Sequence, residues 1–376
     1  MALRILHFAD LHLDASFAAS GMPPSVASRR REDLRGALRR ILALAVEREA
    51  DVVTIGGDLY EQDRCTMDTG NFLREQFARL APTPVLVAPG NHDPWLPHSL
   101  YRQIEWPSNV FIFNEPSPQP HVVGGVTFWG AAHCSPSVRE NMLVGCKVQC
   151  TGTHVLLLHA SDTAAVPPGK PVHCPLNSSD VTASGFRLAL LGHYHGARLT
   201  PSGRPLLCYP GSPEPLGFDE TGKRYALFVE IEGDDLRAEL VALEHSAYIS
   251  LSVDVSSATT REDIREQIIK LAQEKDLDRA YVRLRLVGTL HPDVEVNLDA
   301  LALDLSERFA FLDIQDRTSP AYDLEALKQD LTVKGAFVRK MLDAIERRAS
   351  SGERDVAEAA LYLGIQALDR KELRLT

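Results

Sequence analysis

The chain reads as an α/β protein: two sheets packed face to face with helices outside, then a smaller α/β unit and terminal helices. Three observations predict this. Short apolar runs alternate with amphipathic helical segments in the first part of the chain. From residue 110 onwards, strands follow one another through tight turns. A second β-α-β-α-β series begins near Ser246. Strands that both alternate with helices and pair by hairpins point to two layers of sheet with helices on the outside.

The first strands are the apolar runs 5–9, 52–55 and 85–88. Between them a helix is expected over 27–49, because Leu34, Leu38, Ile41, Leu42 and Ala45 share one stripe. Asp68 is the expected N-cap of a second helix running through Leu80, with Leu73, Phe77 and Leu80 inward. Strands follow at 110–113, 121–123 and 126–131, with Gly124-Gly125 as a hairpin turn. Runs 155–158 and 188–191, then 206–209 and 226–231, complete the strands of this part. Residues 161–185 are rich in Pro, Ser and Gly and lack periodicity, so a long surface loop or a lid is expected.

In the second unit, strands are expected at 249–255, 281–287 and 311–315. Helices are expected at 260–275, with Ile264, Ile268 and Leu271 on one face, and at 298–309. After Ser319 the pattern is helical. One segment carries Phe337, Met341, Leu342 and Ile345; another carries Val356, Ala360, Leu363 and Ala367; Ser350-Ser351-Gly352 separates them. Such stripes serve either self-packing or docking on a partner. The expected domains are 1–243, 246–318 and 319–376.

Composition bounds the function. The chain has 376 residues, more than one domain usually needs, and 44% of them are hydrophobic, enough for a sizeable core. A net charge of −11 argues against a broad basic surface for nonspecific nucleic-acid binding. No signal peptide and no apolar stretch of the ~20 residues that span a bilayer are seen. The six cysteines show no disulfide spacing, and Cys146-x-x-x-Cys150 lacks the second pair of a zinc site. A cytoplasmic protein with reduced thiols is expected, in which the sequon at Asn177-Ser178-Ser179 has no meaning.

The chemistry sits at the ends of the apolar runs. Asp10-Leu11-His12 follows the first, Gly56-Gly57-Asp58 the second and Gly90-Asn91-His92-Asp93 the third. His159 and Gly192-His193-Tyr194-His195 follow the next two, and Gly211-Ser212 closes the series. Ligands in open α/β folds gather at the carboxyl ends of strands, so these groups are expected at one place. Two divalent ions need a bridging anion, several neutral donors and open positions. Asp58 is the expected bridge. Asp10, His12 and His195 complete one ion; Asn91, His159 and His193 complete the other. Alternation is expected to point Asp10 and His12 to one side, and likewise His193 and His195. His92 is assigned to protonate a leaving oxygen or stabilise transition-state charge, with Asp93 orienting it. His7 is read as buried rather than ligating, His133 as lining the cleft, and Tyr194 as flanking substrate or packing. Arg29, Arg30, Arg31, Arg35, Arg39 and Arg40 are read as a solvated helix face with local ion pairs rather than as phosphate contacts.

In this order the motifs resemble the calcineurin-like metallophosphoesterases. The resemblance covers residues 10–195 and implies the ligand set above and a two-sheet αββα core. Finer stretches are similar to SbcD-type DNA repair exonucleases, including the YhaO-like group: residues 5–14, Gly57-Asp58-Leu59-Tyr60, Pro89 to Asp93, Tyr209-Pro210-Gly211-Ser212-Pro213 and Gly217-Phe218-Asp219-Glu220. Asp14 stands where many of these nucleases have Gly, a departure closer to the YhaO-like group. The resemblance implies a Mn²⁺-dependent DNA nuclease with a cap domain, acting with an SMC-like coiled-coil ATPase; a homodimer is also compatible with it. Mixed His, Asp and Asn donors suit Fe²⁺ and Zn²⁺ as well. The rival readings are a small-molecule phosphodiesterase or phosphatase and a noncatalytic scaffold.

Overall fold

In a computed structural model, residues 2–18, 21–149, 151–200, 206–291, 294, 296–347 and 351–369 are described. The chain divides into two units, Met1–Tyr248 and Ile249–Thr376. In the first, one six-stranded sheet runs in the order β14-β13-β1-β2-β3-β4. Its members are β1 (Leu3–Phe8), β2 (Val52–Ile55), β3 (Val85–Val87), β4 (Val110–Ile112), β13 (Arg224–Glu232) and β14 (Asp235–Leu243). The other six-stranded sheet runs β11-β12-β10-β7-β6-β5. It contains β5 (Gln119–Val123), β6 (Val126–Gly130), β7 (Thr153–His159), β10 (Leu188–Gly192), β11 (Arg198–Leu199) and β12 (Leu206–Tyr209).

The two sheets share one core. Ile5, Val52 and Leu86 of the first sheet pack with Phe128, Val155, Leu157, Leu188 and Leu190 of the second. The alternate residues of β7 and β10, Leu156, Leu158, Ala189 and Leu191, face the opposite way into a second cluster with Val181 and Phe186. Burial on both faces explains why these strands are unbroken apolar runs rather than alternating ones. β1, β2, β3 and β4 are mutually parallel, as are β6, β7, β10 and β12. Parallel pairing delivers the carboxyl ends of consecutive strands to the same edge of each sheet.

Several elements differ from expectation. α1 (Pro24–Glu47) starts earlier, with Pro at its first position, where a missing N–H removes no helical hydrogen bond. α2 (Met67–Ala78) has Thr66, not Asp68, as its N-cap. Asp68 sits within the first turn, where a carboxylate still favours the helix dipole, and pairs with Arg35 at 2.5 Å. α3 (Leu100–Gln103) is a single turn. The stretch expected as an unstructured loop holds β8 (Ser161–Asp162), β9 (Pro175–Leu176) and α4 (Ser178–Ala183). Two-residue strands leave no periodicity to read. The helix is specified instead by a capping box in which Asn177 and Asp180 satisfy each other's backbone N–H. β14 was not expected. It is an edge strand that turns only Leu236, Ala238 and Leu240 toward the shared core.

In the second unit β15 (Tyr248–Asp254), β16 (Tyr281–Leu290) and β17 (Phe311–Pro320) form one sheet, with α5 (Arg261–Glu274) and α6 (Leu298–Asp304) in the connections. β16 and β17 pair in parallel from Tyr281↔Phe311 to Leu290↔Pro320, so both strands outrun their expected lengths. α7 (Leu324–Gln329), α8 (Val333–Glu346) and α9 (Ser351–Leu368) follow. Phe337, Met341, Leu342 and Ile345 of α8 pack as expected against a small cluster. On α9 the expected stripe is rotated. Ala357, Leu361 and Ile365 are buried, whereas Val356, Ala360 and Ala367 are exposed. The second half of α9 is apolar nearly all round, so packing into the cluster with Val338, Phe337 and Met341 of α8 selects the inward face.

Among the described residues no helix is long and apolar enough to cross a membrane. Cys65, Cys134, Cys146, Cys174 and Cys208 are free thiols, while Cys150 lies outside the described residues.

Candidate metal centre

Every motif residue leaves a strand at its carboxyl end. Asp10 and His12 follow β1, Asp58 follows β2, and Asn91, His92 and Asp93 follow β3. His159 ends β7, and His193 and His195 follow β10. The chain after β1 is not simply extended. Asp10, His12 and Asp58 have φ of 56°, 52° and 51°, and His193 has φ of 105°. Left-handed backbone is costly for such residues and gathers at functional sites. It is held by a ladder in which Asp10 N–H donates to Gly57 O and His12 N–H to Asp58 O. Side-chain convergence at Asp10 and His12 therefore comes from these turns, not from strand alternation. Gly57 and Gly90 make room: a Cβ on Gly57 (φ +88°) would lie 2.7 Å from His159 Nδ1, and one on Gly90 would strike the Asp58 carboxylate.

Ligand atoms of Asp10, His12 and His195 lie within 4.8 Å of one another, as do those of Asp10, Asp58 and His159. Asp58 Oδ2 is 3.7 Å from His12 Nε2 and 3.3 Å from His159 Nε2, which places Asp58 between the two groups. Asn91 Oδ1 is 2.9 Å from His159 Nε2, and the His193 ring centre is 5.1 Å from that of His159.

Each of the four histidines has one ring nitrogen held by a neighbour. His12 Nδ1 meets Glu61 at 2.7 Å, His159 Nδ1 meets Gly56 O at 2.8 Å, His193 Nε2 meets Pro171 O at 3.1 Å and His195 Nδ1 meets Glu220 at 2.6 Å. This leaves Nε2 of His12, His159 and His195, and Nδ1 of His193, as the remaining donors. Ligating histidines are oriented in this way. His12 Nε2 is buried with no hydrogen-bond partner, a group that a cation would satisfy.

The electrostatics agree. Burial would raise the Asp58 carboxyl, but His159 and His12 hold it well below the usual range. Burial would depress His159, yet Asp58 and Asp10 hold it up at about 9. The pair thus draws positive charge into a buried place. His193 is pulled down to about 3 by burial and by His159, which keeps it neutral as a ligand must be. The donor set of carboxylate, carboxamide and imidazole fits two divalent cations.

Some assignments change. Asp93 does not reach His92. It is buried, and it accepts N–H groups of Asp58, Leu59 and Gly90 and the hydroxyl of Tyr101, so it shapes the turn behind Asp58. Glu61 orients His92 instead, through Nδ1 at 2.9 Å, and holds His12 with its other oxygen. Glu61 and Glu220 were missed, although each stands in a quoted motif stretch or one residue beyond it. His133 is fully buried behind His159, donating from Nε2 to its carbonyl at 2.7 Å, and does not line an open cleft. His173, also missed, lies beside His193 with ring centres 5.4 Å apart. His7 is buried against Thr54 and Leu191 O, and Tyr194 packs on Tyr209. Arg30 is not solvated: it is fully buried and paired with Glu214.

A family model described as calcineurin-like phosphoesterase matches residues 3–196. Among curated relatives, the uncharacterized metallophosphoesterase YhaO of Bacillus subtilis is 28% identical over 68% of this chain and 64% of its own length. The DNA double-strand break repair protein Mre11 of Haloferax volcanii is 26% identical over 76% of this chain and 61% of its own. Mre11 of Methanopyrus kandleri is 25% identical over 86% of this chain and 75% of its own. The chain thus spans less than two thirds of the first two relatives.

Proposed function

Because this chain belongs to the calcineurin-like phosphoesterase family, we propose that it is a metal-dependent phosphodiesterase acting on DNA, of the repair-exonuclease kind. The observation that carries the hydrolytic reading is the set of four histidines, each with one nitrogen held and the other left beside Asp10 or Asp58 or, for His193, beside His159. Asp58 would bridge two cations, with Asp10, His12 and His195 on one and Asn91, His159 and His193 on the other. Bound there, a divalent pair lowers the pKa of coordinated water toward neutrality and offsets the charge of a phosphate diester. Mn²⁺ is the metal this reading favours.

The chain's own groups supply the rest. The backbone N–H of His92 donates to Asp58 Oδ1 at 2.8 Å, which fixes the bridging carboxylate. The His92 ring is half exposed, and Glu61 holds its Nδ1. The opposite nitrogen is the group to protonate a departing sugar oxygen. DNA as substrate is supported by the likeness to the Mre11 proteins, one of which matches 86% of this chain and so reaches into the second unit. That unit would hold the cap (246–318) and a helical segment (319–376) that docks an SMC-like coiled-coil ATPase; exposed Leu331, Val333 and Val356 support this.

The test is cleavage of end-labelled linear DNA by the full chain with Mn²⁺, beside a small aryl phosphodiester. His92→Ala should lower DNA turnover by about 10²–10⁴-fold, the range for loss of a general acid. Turnover of the aryl diester with no DNA cleavage would favour the small-molecule reading. Equal rates in the variant and the parent would remove His92 from the chemistry.

A further inference from the structure

We infer that Glu220 is a positioning residue for His195, held in place by two buried arginine–glutamate pairs that lie outside the metal-ligand motifs. This rests on the metal centre proposed above. Glu220 Oε1 accepts the Nδ1–H of His195 at 2.6 Å, while Oε2 accepts the Ser212 hydroxyl at 2.6 Å. Ser212 N–H in turn donates to His195 O at 3.1 Å. Arg224 closes the ring. Its Nη1 reaches His195 O at 3.2 Å and Ser212 Oγ at 3.1 Å, and its Nη2 donates to Glu220 O at 2.6 Å and Thr221 O at 3.1 Å. Ser212, Glu220 and Arg224 are all buried.

The segment between Ser212 and Glu220 is tied down a second time. Arg30 of α1 donates to Glu214 at 2.8 Å and to Pro215 O at 2.8 Å, with both charged side chains fully buried. Ser246 N–H also donates to Glu214, at 3.0 Å. Buried charges are costly unless paired and hydrogen-bonded, so a loop that spends two such pairs on its own conformation is built to hold one geometry. The group it presents to the centre is the Glu220 carboxylate. A carboxylate on the far nitrogen of a ligating histidine fixes its tautomer and makes the imidazole a better donor. One of the two cation positions, that of Asp10, His12 and His195, therefore depends on Glu220, and the other does not.

The experiment is Mn²⁺ titration of the chelator-stripped full chain by calorimetry, with electron paramagnetic resonance at each addition. The parent is compared with Glu220→Ala and the near-isosteric Glu220→Gln. The parent should take up two Mn²⁺. Glu220→Ala should weaken one position by about 10–100-fold and leave the other unchanged. It should show an isolated-ion spectrum where the parent shows a coupled pair. Glu220→Gln keeps an acceptor for His195 and should fall between the two. Should Glu220→Ala fail to fold, Glu220→Gln alone must still weaken one position selectively. Two unchanged sites in the folded variants overturn the relay and leave the centre standing. Equal weakening of both sites with a lowered melting temperature also overturns it, because that is a structural effect. A parent that binds no Mn²⁺ overturns the centre and the relay together.

Discussion

At the residue scale, the centre is a balance between burial and charge. Asp10 and Asp58 are both buried; the motif histidines outweigh the desolvation cost at Asp58, whereas burial still raises the Asp10 carboxyl. The candidate ligands stand out in the sequence because each is an Asp, Asn or His at or shortly after the end of an apolar run. The residues that aim them were not, because Glu61, Glu220 and the carbonyls of Gly56 and Pro171 act through contacts between distant segments. His7 was read as buried rather than ligating, and the structure places it so. It lies on β1 near the site yet is buried among apolar groups, which pull its pKa down to about 4. The folded state therefore resists a proton that the unfolded chain accepts near pH 6.5. Its stabilising effect is full above that value and is lost as pH falls toward 4, by about 3 kcal/mol. His7→Phe should flatten this part of the acid limb in urea midpoints measured from pH 7 to 4; an unchanged limb would assign the loss to other groups.

At the element scale, periodicity located the helices but not always their inward faces. α1 buries Leu34, Leu38, Ile41, Leu42 and Ala45 as its stripe predicts, because its other face is charged. α9 has no such contrast, and the inward face falls one position away from the expected one. This has a direct consequence. Leu361→Ala should destabilise the second unit by about 2–4 kcal/mol, the usual cost of emptying a buried leucine site. Val356→Asp, on the exposed face, should change stability by no more than about 0.5 kcal/mol. Thermal melting of the two variants measures the difference, and the reverse order would restore the face read from the sequence. The short elements within 161–185 were illegible for another reason. They are specified by a cap and by two-residue pairings, which leave no repeating pattern.

At the scale of the whole molecule, the two units carry different kinds of information. The first unit's chemistry is shared by phosphatases, cyclic-nucleotide diesterases and nucleases, so it supports the reaction without choosing the substrate. On the proposed reading, the second unit serves DNA and is not needed for a small diester. Deleting residues 321–376 should therefore spare turnover of the aryl diester while lowering DNA cleavage or partner capture. The deletion leaves β17 intact to Pro320 but removes the cluster around Val338 and Leu361. Assaying both substrates on the same preparation makes the comparison internal. A deletion that changes neither would separate the helices from DNA processing.

The sequence by itself determined the fold class, the strands that end in candidate ligands and the identity of those seven candidates. Those are local properties: an apolar run, a glycine that permits a tight turn, an Asp, Asn or His at its end. The tertiary structure alone decided which nitrogen of each motif histidine is turned toward the carboxylates or the neighbouring histidine, that Glu61 rather than Asp93 holds His92, that Arg30 is buried, and that Glu220 stands behind His195. These depend on segments up to 184 residues apart, as in the Arg30–Glu214 pair. Such pairings arise only when two sheets and a helix close over one another, because burial is what gives a paired charge its energetic weight.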